Sequence, residues 1–147
     1  MDDFHFDDII EVSNEDVLEK KYDKVSRIAA HNQDGDVEIL LEVNTELYPI
    51  QKEEKLRMLL SHTLYADGSA VTSHFPKEKQ RSLADKFEYV MHGLTYKMTL
   101  DPKESAGALK VEVYISFGGL QLMLKGPVEK MSKFKVDQKL FVLLRKM

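Results

Sequence analysis

Apolar and polar side chains alternate almost one for one from Val37 to Leu47. A period of two is a strand signature, because successive side chains of an extended chain point to opposite faces. Val37, Ile39, Leu41, Val43, Thr45 and Leu47 share one face, with Glu38, Glu42, Asn44 and Glu46 on the other. The pattern returns at Leu56, Met58, Leu60, His62 and Leu64, after which "YADGS" supplies an Asp67-Gly68 turn signal. Phe87, Tyr89 and Met91 carry it to Gly93, and Leu94, Tyr96, Met98 and Leu100 resume it on even-numbered positions. That change of phase predicts a β-bulge at Gly93, since a bulge shifts side-chain facing by one residue. Leu109, Val111, Val113, Ile115 and Phe117 form the next set, and Leu120, Leu122 and Leu124 follow it with the phase flipped again. Val25 to Ala30, Leu140 to Leu144 and Phe6 to Val12 complete the series.

About eight strand-like segments with little helical patterning predict an all-β fold, an antiparallel barrel whose closure removes exposed sheet edges. Between Phe117 and Leu120 stands the pair Gly118-Gly119. Glycines weaken a strand interior, so they mark either a bulge or corner that the barrel needs or a place where another chain approaches the backbone closely. Ser69 to Asp85 contains a proline and several charges without alternation, and reads as a long surface loop. "DPKESAG" from Asp101 reads as a shorter loop, and "SNEDVLEKK" from Ser13 as a short helix start with Asp16 at the third capping-box position.

A chain of 147 residues and 17.0 kDa, with 43% hydrophobic and 31% charged residues, matches one domain spanning 1–147. Twenty-one Lys and Arg stand against 25 Asp and Glu, a net charge of −4 that disfavours autonomous binding to a phosphate backbone. No cysteine is present, which excludes disulfides, thiolate metal sites and cysteine nucleophiles from this sequence. "MDDFHFDDIIEV" has four aspartates and no basic stretch, so it does not read as a secretory signal. No apolar run approaches the roughly 20 residues of a membrane span.

Catalytic and metal-binding patterns fail one by one. His5, His31, His62, His74 and His92 show no metal-ligand spacing. "NQDGD" opens like a calcium loop, but Val37 stands where glycine is required and Val43 where the bidentate glutamate belongs, so a solvated hairpin turn is the better reading. Ser132 and Lys135 match S-x-x-K without the companion elements, and Gly118-Gly119 lacks the spacing of a phosphate-cradling loop. Asp2-Asp3 and Asp7-Asp8 read as solvated pairs. Tyr89, Tyr96, Tyr114, Phe117 and Phe141 are either a base-stacking platform or core and half-buried strand residues, with the acidic balance favouring the latter. A single-strand nucleic-acid binder and a small-ligand barrel of lipocalin type stay open as alternatives.

Six segments together resemble one family. They are "FDDIIEV" (6–12), "YDKVSRI" (22–28), "LEVNTELYPI" (41–50), "RSLADKFEYVMHG" (81–93), "YISFGGLQLMLKG" (114–126) and "FVLLRK" (141–146). In order and spacing they are similar to the small subunit shared by eukaryotic nuclear RNA polymerases I, II and III, the eighth of the common set. The resemblance implies an eight-stranded antiparallel barrel related to the oligonucleotide-binding fold. It further implies a non-catalytic subunit with no cofactor or metal of its own, held on the largest polymerase subunits among the other subunits, in the nucleus including the nucleolus. No membrane contact is implied, and direct nucleic-acid contact is disfavoured. Partner-binding residues on this reading are Tyr114, Phe117, Gly118, Gly119 and Leu120, with Asp85 and Tyr89. Gln121 after the glycine pair, His92 and the loop after Asp67 depart from the family pattern.

Overall fold

The structure, a computed structural model, describes residues 4–14, 25–64, 83–100 and 109–147. The Asp67-Gly68 turn, residues 69–82 of the long loop, the loop after Asp101, Asp2-Asp3 and residues 15–21 of the short helix lie outside these residues. Ser13 and Asn14 themselves end a strand.

Eight strands make up most of the described chain: β1 (Phe6–Asn14), β2 (Val25–Asn32), β3 (Glu38–Asn44), β4 (Lys55–Ser61), β5 (Tyr89–Leu100), β6 (Lys110–Phe117), β7 (Leu120–Pro127) and β8 (Lys139–Lys146). A single 3-10 turn, Leu83–Lys86, is the one helical element among the described residues. The strands pair antiparallel in the closed order β1-β2-β3-β7-β6-β5-β8-β4, with β4 returning to β1. This is the expected closed barrel, consistent with an oligonucleotide-binding type of fold.

The alternation does what period two requires. Val37, Ile39, Leu41 and Val43 point inward, and cross-strand register sets Leu41 against Ile28 and Leu122. Ile10, Ile28, Met58, Ile115, Leu122 and Leu144 fill the lumen with fully buried side chains. Each such residue contributes roughly 1.5–3 kcal/mol of apolar burial. A lumen packed this way is a core, not the cavity that a lipocalin-like carrier needs.

Four local expectations are corrected. Leu47 is 72% exposed, because β3 ends at Asn44, whose side-chain carbonyl accepts the N–H groups of Glu46 and Leu47 and turns the chain. The bulge in β5 sits at Tyr96, not Gly93: register passes from Thr95 opposite Ile115 to Lys97 opposite Tyr114. Met91, Gly93 and Thr95 therefore keep one inward phase, and Met98 takes it up beyond the bulge. Gly118 and Gly119 are the two central residues of a tight β6–β7 hairpin, with φ of 60° and 100°. Positive φ at both is what a type I′ hairpin turn demands. A two-residue loop pairs odd positions with even ones, as Phe117 with Leu120, which is the origin of the phase flip.

The fourth correction concerns Leu64 and Phe87, which alternation sets in phase with Leu60 and Tyr89 but which pack on the outside of the barrel. Leu59 and Leu143 point outward yet are buried, under Phe4, Leu64, Phe87 and Phe141. The Arg57 and Arg145 guanidinium groups lie 5.4 and 5.6 Å from the Phe87 ring centroid, and Arg57 also donates two bonds to Asp7, each 3.0 Å. The "NQDGD" segment is a hairpin connection, as expected. Asn32 is buried there, accepting the Val37 N–H and donating to Asp36 and Asp8.

Two stability outcomes follow from β5. A Cβ at Gly93 would stand 2.2 Å from the Ser116 carbonyl oxygen and 2.5 Å from the Phe117 ring, so Gly93→Ala destabilises by about 3 kcal/mol in denaturant unfolding. An unchanged midpoint refutes that close approach. The Thr95 hydroxyl is buried without a hydrogen-bond partner. Thr95→Val, of the same shape, raises stability by about 1 kcal/mol, and a loss of stability shows that the hydroxyl is satisfied.

Candidate functional site

The seven residues singled out from the sequence do not form one patch. Tyr114, Gly118, Gly119 and Leu120 come together on the β6–β7 hairpin. Phe117 belongs to the same hairpin but is only 5% exposed, its ring lying against Gly93 inside the barrel. Its side chain holds the hairpin and offers nothing to a partner. Tyr89 faces inward, stacked on Tyr48 with centroids 5.1 Å apart, and its hydroxyl oxygen accepts the Asn44 N–H. Asp85 is exposed on the 3-10 turn.

Around Tyr114 the outer face of β2, β3, β7 and β6 forms a groove of about 120 Å³, lined by Arg27, Leu40, Tyr114, Gln121 and Met123. Period two explains its composition. Tyr114 and Met123 are direct cross-strand partners facing outward, as are Leu40 and Met123 on the β3–β7 side. Tyr96, pushed out by the bulge and 41% exposed, donates its hydroxyl to Gln121 Oε1 at 3.0 Å and sits 6.2 Å from the Tyr114 ring. The β5 bulge thus places a second aromatic beside the first.

Charged groups fix this face. Glu42 ties three strands: Arg27 donates to one carboxylate oxygen at 3.2 Å, and the Gln121 N–H donates to the other at 2.9 Å. Glu112 Oε1 accepts both the Tyr114 and Thr99 hydroxyls at 3.0 Å. Burial, then the bond and charge of Glu112, raise the Tyr114 pKa, so the phenol remains a neutral donor at physiological pH. Lys97 Nζ stands 5.2 Å from the Tyr114 ring centroid. The result is a rigid, partly apolar surface with its polar groups paired, suited to packing against a protein.

Leu40, Met123 and Arg27 were not singled out from the sequence. Leu40 beside Leu41, and Met123 between Leu122 and Leu124, put apolar side chains on both faces of their strands. That break in alternation was the available signal.

Among the described residues no three His, Asp or Glu side chains gather to hold a metal. Ser132 is exposed and donates to the Glu129 carbonyl at 3.1 Å.

Comparison with known proteins adds identity to this geometry. The family model described as RNA polymerase Rpb8 matches residues 7–146. The DNA-directed RNA polymerases II, IV and V subunit 8B of Arabidopsis thaliana is 39% identical over 142 residues, covering 97% of this chain and 95% of that protein. The probable DNA-directed RNA polymerases I, II, and III subunit RPABC3 of Caenorhabditis elegans is 33% identical, covering 96% and 95%. The corresponding Saccharomyces cerevisiae subunit is 34% identical, covering 96% and 97%. A match across nearly the whole barrel, at these identities, means that the chain belongs to the RNA polymerase Rpb8 family of accessory polymerase subunits.

Proposed function

We propose that this chain is a non-catalytic common subunit of nuclear DNA-directed RNA polymerases I, II and III, present in nucleus and nucleolus, and that it docks on the largest subunit of each. The observation that carries the docking reading is the groove on the outer barrel face, where Leu40, Tyr96, Tyr114 and Met123 supply apolar surface beside the exposed Gly118-Gly119 tip and half-buried Leu120. Aromatic and methionine side chains are enriched at protein interfaces, and a glycine tip lets a partner backbone come close. A small barrel with its ring of strands closed offers a stiff platform, so little ordering entropy opposes binding.

Base stacking on Tyr96 and Tyr114 is the competing use of the same face. A single-strand binder needs a cationic track beside its aromatics. Here Arg27 is paired with Glu42, and Glu112 holds the Tyr114 hydroxyl, so carboxylates alternate with cations. That arrangement favours the protein partner.

Tagged full-length chain carrying Tyr114→Ala and Met123→Ser loses co-purification with the largest subunit by about thirtyfold, the effect of removing two interface contacts worth roughly 1 kcal/mol each. Its circular dichroism and unfolding midpoint stay near those of the parent. Unchanged recovery of the largest subunit overturns the groove as the docking surface. Gly119→Val is the less informative variant, because a β-branched residue at φ of 100° strains the hairpin itself.

A further inference from the structure

At the end of the barrel closed by the β7–β8 connection, His5 precedes β1 and His62 follows β4. Pairing of those two strands brings their rings to 5.9 Å, edge to face, and the His5 backbone N–H donates to the Leu60 carbonyl at 2.8 Å. Phe134 packs on the other side of the His5 ring at 5.3 Å. The two imidazoles, with Ser132, Lys133, Lys135 and Gln138 from the connection, line an open pocket of about 470 Å³. Among the described residues no carboxylate lines it.

We infer that this pocket is a binding site for a phosphate-class oxyanion. Its donors converge from three separate segments: the start of the chain, the end of β4 and the β7–β8 connection. Donors arriving from several directions suit a tetrahedral group with oxygens pointing outward all round, better than a planar carboxylate. Lys133 Nζ also donates to the Phe4 carbonyl at 3.3 Å, which holds its ammonium near the mouth.

His5 gives the second, independent mark of such a site. It is 8% exposed, and neither ring nitrogen makes a hydrogen bond of ordinary geometry. A buried imidazole of this kind disfavours its own protonation. Burial first, and then the nearby Lys133 ammonium, hold its pKa below the ordinary value, with the Gln138 amide offsetting only part. Other charged groups around it are Lys135 in the pocket, Asp7 and Asp8 on β1, and Glu129 and Lys130 in the adjoining groove. Asp7 is engaged by Arg57, Asp8 by Asn32 and Lys130 by Asp34 and Asp36. An anion in the pocket would supply the compensating charge that His5 lacks. Binding and protonation are then linked: the anion raises the His5 pKa, and affinity rises as pH falls.

The test is a titration of the full chain followed by the histidine Hε1 resonances in NMR. Inorganic phosphate and sulfate are the probes, against chloride at matched ionic strength. Sulfate keeps its charge between about pH 5.5 and 8, so any pH dependence of its binding belongs to the protein. The expected result is saturable shifts of the His5 and His62 signals with both oxyanions, and sulfate affinity at least about threefold higher at pH 5.5 than at pH 8. Lys135→Gln weakens binding about fivefold, and the Lys133→Gln, Lys135→Gln double variant removes saturation, with an unchanged unfolding midpoint. Shifts that grow linearly, match those of chloride, or persist undiminished in the double variant overturn the site. None of these readouts depends on polymerase assembly, so failure here leaves the docking proposal standing.

Discussion

Ring closure through backbone hydrogen bonds is the constraint on which the rest of the molecule depends. β1 finds β4 at one side and β2 at the other, and every strand likewise has two neighbours. Closure fixes which face of each strand is inside, and a one-residue slip in any ladder would turn a whole apolar stripe into water. It also demands that the chain pass very close to itself where β5 bends against β6. Gly93 is the residue that allows this, with the Phe117 ring occupying the space a side chain would need. The β5 bulge, the glycine and the buried Thr95 form one local solution, in which an imperfectly satisfied hydroxyl is tolerated for the sake of the bend.

The outward consequence of that bend is the candidate docking face. Inserting Tyr96 as an extra residue moves it out of register and beside Tyr114. Glu42 then braces β2, β3 and β7 under the same groove through Arg27 and the Gln121 N–H. These ionic contacts are half-exposed and contribute little to stability. Their value lies in fixing side-chain positions on a surface that would otherwise be mobile.

Strand content and barrel closure were legible in the sequence because a period of two over most of the chain has few other meanings. Val37 to Val43, and the odd-to-even sets on either side of Gly118-Gly119, land as the alternation requires. What was not legible depended on length in residues rather than on composition. A phase flip has two physical causes, an extra residue in one strand or an even-numbered turn between two. Gly93 reads as a bulge and Gly118-Gly119 as a bulge, a corner or a close approach, whereas the pair is a hairpin turn and Gly93 a packing glycine three residues before the bulge. Tertiary cover explains the rest: Leu59 and Leu143 look like outward positions, and only the folded chain shows what lies over them. The apolar groove at Leu40 and Met123 was written as a departure from alternation, and Phe117 was assigned to a surface that its burial denies it.

Leu64 and Phe87 both rest on the outer cluster formed by Leu59 and Leu143, so the chain leaves the barrel and rejoins it over the same spot. The intervening stretch is therefore tethered at both ends by contacts that do not depend on how many residues it contains. Doubling such a tether adds only about 0.6 kcal/mol of closure entropy. Relatives built on this plan are free to lengthen, shorten or recharge that excursion without disturbing a single ladder of the cylinder, and the site offers natural room for divergence between otherwise equivalent subunits.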